Sequence, residues 1–301
     1  LMEGLITNLS ARKVEVIVYS ASRTIDLLTA RLEQAAAKFV TLSTRLDKAR
    51  QEIAADELDV LYYSDIGMEP FTYFLSFARL APIQCAGWGH PVTTGVSTID
   101  HFISSRLMEP AGAADAYSEK LAQLDSIPTP IKDPSAGVSA SPAGTGRILC
   151  PQSLFKFHPC FDTMIGGILS ACPDAELLLL QGSRQDWVDR LEARFKNTIP
   201  DVVDRIGYMP RSGRGDFLHS LASADLILDT PHYSGGLTTQ EALAVGTPVV
   251  TLAGDYLRGR VSEGFYRKMA MSECVAESPE DYIDIGTRLA RDAGFGAVVR
   301  E

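Results

Sequence analysis

In the stretch Leu226-Ile-Leu-Asp-Thr-Pro-His-Tyr-Ser-Gly-Gly-Leu-Thr-Thr-Gln-Glu241 an apolar run leads into paired glycines and then into a helical pattern. Gly235 and Gly236 let backbone approach a ligand closely, and the free N–H groups of a helix beginning at Thr238 or Thr239 point back at that loop. Such a helix end carries a partial positive charge worth about 0.3–1 kcal/mol to a nearby anion, and threonine hydroxyls add donors. The chemistry this suits is the binding of a diphosphate. The same residues admit a plainer reading, because Thr238-x-x-Glu241 is also the pattern of a capping box that closes the helix on itself. Three features favour the ligand site: the double glycine, the strand–loop–helix position, and Gly246-Thr247-Pro248, which returns the chain at once to a strand. Glu241 lies one turn into the helix, where a carboxylate can accept both hydroxyls of a ribose.

The elements that must position these residues alternate between strand and helix. Val14 to Tyr19 and Leu58 to Tyr63 are strand-like. Apolar residues at helical spacing run from about Thr24 to Phe39, and Phe71 to Leu80 reads as a buried helix. Ala81 to Ala86 and Ile99 to Ser104 are further short strands. From Ile127 to Gly146 the composition turns to Pro, Ser, Gly and Ala (Pro128, Pro130, Pro134, Pro142 among them), which marks a linker. Beyond it the pattern restarts, with strands at Arg147–Cys150, Glu176–Leu180, Val203–Ile206, Leu226–Asp229 and Pro248–Leu252 separated by helices near Phe161–Ala171, Gln185–Lys196, Asp216–Ser223 and Thr239–Val245. The expected fold class is α/β with two Rossmann-like lobes, residues 1–135 and 136–301. No short internal repeat is visible, so the chain is not a solenoid.

The 301 residues, 46% hydrophobic and 22% charged, suffice for two packed domains. A formal charge of −10 argues against a sequence-independent nucleic-acid binder, whose affinity rests on Lys and Arg meeting phosphates. It leaves room for an anionic small ligand held by a helix end and a single lysine. Five scattered cysteines without a CxxC pair indicate neither a disulfide framework nor a zinc site, and fit a reducing cytoplasm. No apolar run approaches the length needed to cross a bilayer and no signal-peptide core is visible, so no membrane partner is expected. The sequence begins at Leu1, as a fragment of a longer protein would.

The 226–250 stretch resembles the nucleotide-binding segment of the O-GlcNAc transferase/SPINDLY family, in particular its bacterial members. Other segments agree in order along nearly the whole chain: Asp65-Ile-Gly-Met-Glu-Pro-Phe-Thr-Tyr-Phe74, Arg79-Leu-Ala-Pro-Ile-Gln84, Trp88-Gly-His-Pro-Val-Thr-Thr-Gly95, Tyr117-Ser-Glu-Lys-Leu121, Gln152-Ser-Leu-Phe-Lys-Phe-His-Pro159 and Leu257-Arg-Gly-Arg260. The resemblance implies a fold of the GT-B glycosyltransferase type, its first lobe lacking the earliest part. It also implies transfer of a sugar from a UDP-sugar donor, N-acetylglucosamine from UDP-GlcNAc, to Ser or Thr hydroxyls of a protein or peptide acceptor, with inversion.

Carried over by position, Lys156 matches the lysine that contacts the donor diphosphate and offsets negative charge growing on the leaving group; a solvated lysine just after a strand is the plainer alternative. Thr238 and Thr239 match the paired threonines at the phosphate-binding helix, and Glu241 the ribose-binding acid. Two departures bear on the base and sugar contacts. Ser153, with Gln152 beside it, stands where an amide side chain is common, and Gly236-Leu237 stand in the region where eukaryotic members carry a histidine.

In the first lobe, the loop Gly89 to Gly95 is expected to face the interlobe cleft, where His90 could hydrogen-bond the donor or the acceptor hydroxyl, or serve only structure. Asp65 is a second cleft candidate or a helix cap. His158, His219 and His232 lack metal-ligand spacing and no Asp-x-Asp motif occurs, so a metal-free transfer without a cofactor is expected. Three alternatives remain: a GDP-fucose donor, a glycan acceptor, or a catalytically silent remnant that binds nucleotide or partner proteins. A dinucleotide oxidoreductase is disfavoured, since no GxGxxG joins a strand to a helix with an acid about 20 residues on.

Overall fold

A computed structural model describes residues 2–300 except 11, 13, 25, 130–132, 136, 140–143 and 145. The chain divides into two compact units, Leu1–Lys132 and Asp133–Glu301. The linker stretch 127–146 spans this division; its Pro130 and Pro142 lie outside the described residues.

In the first unit the elements run α1 (Glu3–Ser10), β1 (Ile17–Ser20), α2 (Leu27–Ala35), β2 (Lys38–Thr41), α3 (Leu46–Ala54), β3 (Val60–Tyr63), α4 (Pro70–Ser76), β4 (Ile83–Gly87), β5 (His101–Ser105) and β6 (Lys120–Leu124). β1 pairs with β2, and β3 to β6 form a four-stranded sheet in sequence order; every pairing is parallel. The helix expected from Thr24 to Phe39 is shorter than its periodicity suggests. Asp26 caps α2, accepting from the Thr29 amide at 2.8 Å, and the helix ends at Ala35. Lys38-Phe-Val-Thr41, aromatic and β-branched, instead pairs with β1 from Ile17↔Lys38 to Ser20↔Thr41, so tertiary pairing overrides the helical pattern there.

The second unit contains β7 (Arg147–Cys150), α5 (Cys160–Ala171), β8 (Glu176–Leu180), α6 (Gln185–Thr198), β9 (Ile206–Met209), α7 (Arg214–Ala222), β10 (Leu226–Leu228), α8 (Leu237–Ala244), β11 (Val249–Leu252), α9 (Val261–Met269), β12 (Val275–Ala276), α10 (Pro279–Arg291) and α11 (Ala293–Arg300). Its six parallel strands lie in the order β12-β11-β10-β7-β8-β9. Numbered within the unit and read from β9, that is 3-2-1-4-5-6, the doubly wound order of a Rossmann sheet. The direction of winding reverses between β7 and β10, which pair at Ile148↔Leu226 and Leu149↔Ile227. Helices cover both faces, and so the strands read as unbroken apolar runs: Ile148, Leu149, Leu226, Ile227, Leu228, Val249 and Val250 are all buried.

One strand differs from expectation. Val203–Arg205 is a single 3₁₀ turn and β9 begins only at Ile206. Arg205 is drawn over the end of α5, where its guanidinium donates to the carbonyls of Leu169 (2.6 Å) in the last turn and of Cys172 (2.8 Å) and Ala175 (2.9 Å) just beyond it. Among the described residues no helix is long and apolar enough to cross a membrane.

A buried carboxylate ties α5 and α6 to the segment after β7. Asp162 is 1% exposed and accepts from Arg194 Nε (2.9 Å), Arg194 Nη2 (2.8 Å) and Thr198 Oγ1 (3.0 Å), while Arg194 Nη1 donates to the Phe157 carbonyl at 3.0 Å. Removing the cation strands the anion in the interior, and that asymmetry is what makes such pairs matter. Arg194→Met should lower stability by about 2–3 kcal/mol, and Arg194→Met with Asp162→Asn should recover much of the loss. Chemical denaturation of the two variants checks both statements; equal loss in the single and double variants would contradict them.

Candidate functional site

Asp229, 1% exposed, follows directly on β10. Its Oδ1 accepts from the Gly235 amide at 2.7 Å and its Oδ2 from Thr251 Oγ1 at 2.8 Å, while its backbone carbonyl accepts from Tyr282 Oη at 2.9 Å. The carboxylate thus folds the loop after β10 back on the strand end and joins it to β11 and α10. Burial pushes its pKa up, and the hydrogen bonds of Ser262, Gly235 and Thr251, with the charge of Lys156, oppose that shift. Ser234 completes the loop: its amide donates to the Arg258 carbonyl at 2.7 Å, and its Oγ accepts from the Val261 amide at 3.0 Å.

Lys156 sits on the 3₁₀ turn Leu154–Lys156 that follows β7. It is half-buried, and this sets aside the reading of a solvated surface lysine. Its Nζ donates to Gln152 Oε1 at 2.8 Å and to the Ser234 carbonyl at 3.1 Å, and it lies 4.7 Å from the centre of the Tyr233 ring. Burial lowers its pKa, with Asp229 opposing. Gln152, 2% exposed, uses its other end to donate from Nε2 to Thr238 Oγ1 at 2.9 Å. Two elements on either side of the winding reversal are thereby bridged: the turn after β7 and the N-terminus of α8. Ser153 precedes the turn, and its carbonyl accepts from the Lys156 amide at 3.0 Å.

α8 begins at Leu237 with Gly236 as its N-cap, and no side chain caps it. Thr238 is therefore inside the helix and Glu241 does not reach back to it, so the capping-box reading fails. Thr239 is 1% exposed and its hydroxyl shares a 2.9 Å hydrogen bond with Ser262 of α9, a structural role, whereas half-buried Thr238 meets Gln152. Glu241 is 6% exposed, with Arg214 Nε 3.4 Å from Oε1. Burial raises its pKa and Arg214 opposes the shift. Beside Lys156 a cavity of about 330 Å³ opens, lined by the 155–159 and 231–233 segments and Arg258. Neither the paired glycines nor Thr238 line it, so Lys156 stands between this cavity and the uncapped helix end.

Asp65 and His90 follow the neighbouring strands β3 and β4 in the first unit. Burial raises the Asp65 pKa against the charge of His90, and burial lowers that of His90 against Asp65. The imidazole packs on Gly67, whose φ of +111° suits glycine, and His90 Nδ1 is buried without a partner. Asp65 is not a helix cap: Glu69 caps α4, accepting from the Thr72 amide at 2.9 Å. Thr93 and Thr94 of the same loop are bound to the Glu119 carboxylate, Thr93 Oγ1 at 2.7 Å and the Thr94 amide at 2.7 Å.

The arrangement in the second unit offers fixed amides, one ammonium and a buried acid at the point where winding reverses, the place where open α/β sheets bind ligands. The family model described as glycosyl transferase family 41 matches residues 1–128 and 148–301. The chain belongs to that family. A relative in Arabidopsis thaliana, named as a probable UDP-N-acetylglucosamine–peptide N-acetylglucosaminyltransferase SPINDLY, is 25% identical over 97% of this chain and 33% of its own length. The Petunia hybrida protein of the same name is 28% identical over 71% of this chain and 24% of its own length. The chain thus spans a third or less of these relatives. Among solved structures, a mutant O-GlcNAc transferase of Thermobaculum terrenum superposes with a TM-score of 0.89 at 27% identity, covering 99% of this chain and 58% of that one. A sucrose-phosphate synthase of Thermosynechococcus elongatus, at TM-score 0.65 and 13% identity over 100% of this chain and 85% of that one, shares the fold. The fold is that of the GT-B glycosyltransferases, with Rossmann-like lobes.

Several residues of the site carry no clear signal in the family 41 sequence. Asp229 reads as the polar end of an apolar strand; that an acid should close so apolar a run was the available clue. Ser262 and Thr251 become partners only through the fold. His158, Cys160 and His232 come together in space although their spacing fits no ligand pattern, while His219 sits outside that group on α7.

The two glycines differ physically. A Cβ on Gly235 would fall 2.3 Å from Thr239 Oγ1 and 2.5 Å from Gln152 Nε2, whereas a Cβ on Gly236 meets nothing within 4 Å. Gly235→Ala should therefore cost about 1–3 kcal/mol by overpacking. Gly236→Ala has room for its Cβ and should lose only the N-cap preference for glycine, about 0.5–1 kcal/mol, and a loss as large as that of Gly235→Ala would contradict this reading of the loop.

Proposed function

We propose that this chain is the donor-handling catalytic part of a glycosyltransferase that moves N-acetylglucosamine from UDP-GlcNAc to Ser or Thr hydroxyls of a protein or peptide, with inversion. The observation that carries the proposal is the half-buried Lys156 ammonium, held by Gln152 Oε1 and the Ser234 carbonyl beside the uncapped start of α8. Such a site suits a diphosphate, because the amides and the ammonium are fixed before the ligand arrives. The names of the Arabidopsis and Petunia relatives support the donor and a peptide acceptor.

In the proposed step the acceptor oxygen attacks the anomeric carbon from the face opposite the diphosphate. The carbon–oxygen bond to the diphosphate breaks, its electron pair leaves with UDP, and the hydroxyl proton passes to a base or to solvent. Charge on the leaving phosphate grows as that bond lengthens, and Lys156 with the α8 amides offsets it without a metal or cofactor in the step. Glu241 holds the ribose hydroxyls, Gln152, Ser153 and Thr238 frame the diphosphate, and Thr239 keeps the helix start in place. His90 and Asp65 belong to the acceptor side. The scattered cysteines support a cytoplasmic setting, and the acidic composition disfavours nucleic acid as a partner.

Since the charge appears in the transition state, Lys156 should act on rate more than on binding. With the full-length protein, Lys156→Ala should lower the turnover number about 100-fold or more while changing the UDP dissociation constant much less, and Lys156→Arg should recover part of the loss. Sugar transfer at the original rate, or an effect confined to donor binding, would refute the leaving-group role. Glu241→Gln should weaken UDP binding by about 1.5–3 kcal/mol with little change in thermal unfolding. Calorimetry with UDP and GDP side by side checks this, and tighter binding of GDP would overturn the choice of donor.

A further inference from the structure

Three side chains far apart in the sequence meet at the rim of the cavity. His158 and Cys160 flank Pro159 at the start of α5, and His232 arrives from the turn after β10, 72 positions on from Cys160. His158 Nδ1 lies 3.0 Å from Cys160 Sγ, and Cys160 Sγ lies 3.4 Å from His232 Nε2. With one ligand atom taken from each, the three residues hold those atoms within 4.8 Å of one another. The two imidazoles stand nearly perpendicular, ring centres 4.7 Å apart.

We propose that His158, Cys160 and His232 form a binding site for a borderline-soft divalent ion, Zn²⁺ by the chemistry of its ligands. A tetrahedral zinc ion with nitrogen at about 2.0–2.1 Å and sulfur at about 2.3 Å keeps neighbouring ligand atoms about 3.3–3.6 Å apart. The Cys160–His232 separation already lies close to that spacing and the His158–Cys160 separation is about half an ångström shorter, and since both imidazoles are exposed, side-chain rotations complete the set. Two imidazoles and a thiolate select against magnesium and calcium, which take oxygen ligands. As the sulfur–metal bond forms, the thiol proton leaves to solvent, and water fills the fourth position.

The backbone adds an independent observation. His232 has φ +66°, in the left-handed region that a histidine adopts only at a cost of about 1–2 kcal/mol. The turn is held there by Thr230 Oγ1 donating to the Tyr233 carbonyl at 2.8 Å and by Ser234 on Arg258. Glycine would satisfy the turn with less strain, and strain of this kind is kept where a side chain is needed in place. His158 and His232 also wall the cavity beside Lys156, so a bound ion fixes that wall and adds positive charge there.

The plainer role for His158 is to steady the start of α5, since its Nδ1 accepts from the Cys160 amide at 3.3 Å. The test separates the two. Chelator-treated protein is titrated with Co²⁺ as a spectroscopic stand-in and with Zn²⁺ in competition. The expected result is one ion per chain, a thiolate-to-cobalt charge-transfer band, and a rise in melting temperature with zinc. Cys160→Ser should abolish the band and weaken zinc binding at least about tenfold. His232→Gly removes a ligand while relieving the turn, so the metal-free variant should melt no lower than the original protein yet lose the stabilisation by zinc. Unchanged zinc affinity in both variants, or a cobalt complex without the thiolate band, would overturn the site.

Discussion

A carboxylate removed from water at the end of β10 governs the second unit. Asp229 is 1% exposed, and an ion so placed persists only where donors and a counter-charge surround it. The donors come from separate elements: the Gly235 amide from the loop, Thr251 from β11 and Ser262 from α9. Lys156, on the far side of the winding reversal, supplies the charge. Satisfying one acid therefore fixes the loop against β11 and α9, and the hydrogen bonds of Lys156 to Ser234 and of Gln152 to Thr238 join that loop and the start of α8 to the turn after β7. That is why a loop of small residues can hold a defined shape.

The same constraint frames the proposed anion site in a chain whose formal charge is −10. Global charge sets solubility and encounter, while a buried site answers to nearby dipoles and ions. At the reversal the amides at the start of α8 have no side-chain cap, and Lys156 is held by neutral oxygens of Gln152 and Ser234 rather than neutralised by a direct ion pair. Its charge remains directed at the space between the two loops. Preorganisation of this kind is what phosphate-leaving chemistry needs from a protein.

Much of this was legible in the sequence. The strands of the second unit read as apolar runs because both faces of their sheet are covered, and Arg147–Cys150 and Glu176–Leu180 fall where composition places them. The paired glycines and Lys156 were visible in the sequence as candidates for chemistry. What escaped depends on partners far along the chain. Lys38–Thr41 is a strand because β1 lies beside it, a fact that local periodicity cannot hold. Asp229 looks like a strand terminus until Gly235 and Thr251 close on it. Thr238 and Glu241 match a capping box in spacing, but Gly236 takes the cap and shifts both residues into the helix. Thr239, paired with Thr238 in sequence, turns inward to Ser262 instead.

The central claim is that a diphosphate is held at the reversal point of the second unit, between Lys156 and the start of α8. A crystal structure of the protein with UDP tests it most directly. The account predicts phosphate oxygens within hydrogen-bonding distance of Lys156 Nζ and of the first-turn amides of α8, with the ribose at Glu241. Phosphates bound elsewhere, with Lys156 still turned to Gln152 and Ser234 alone, would contradict it.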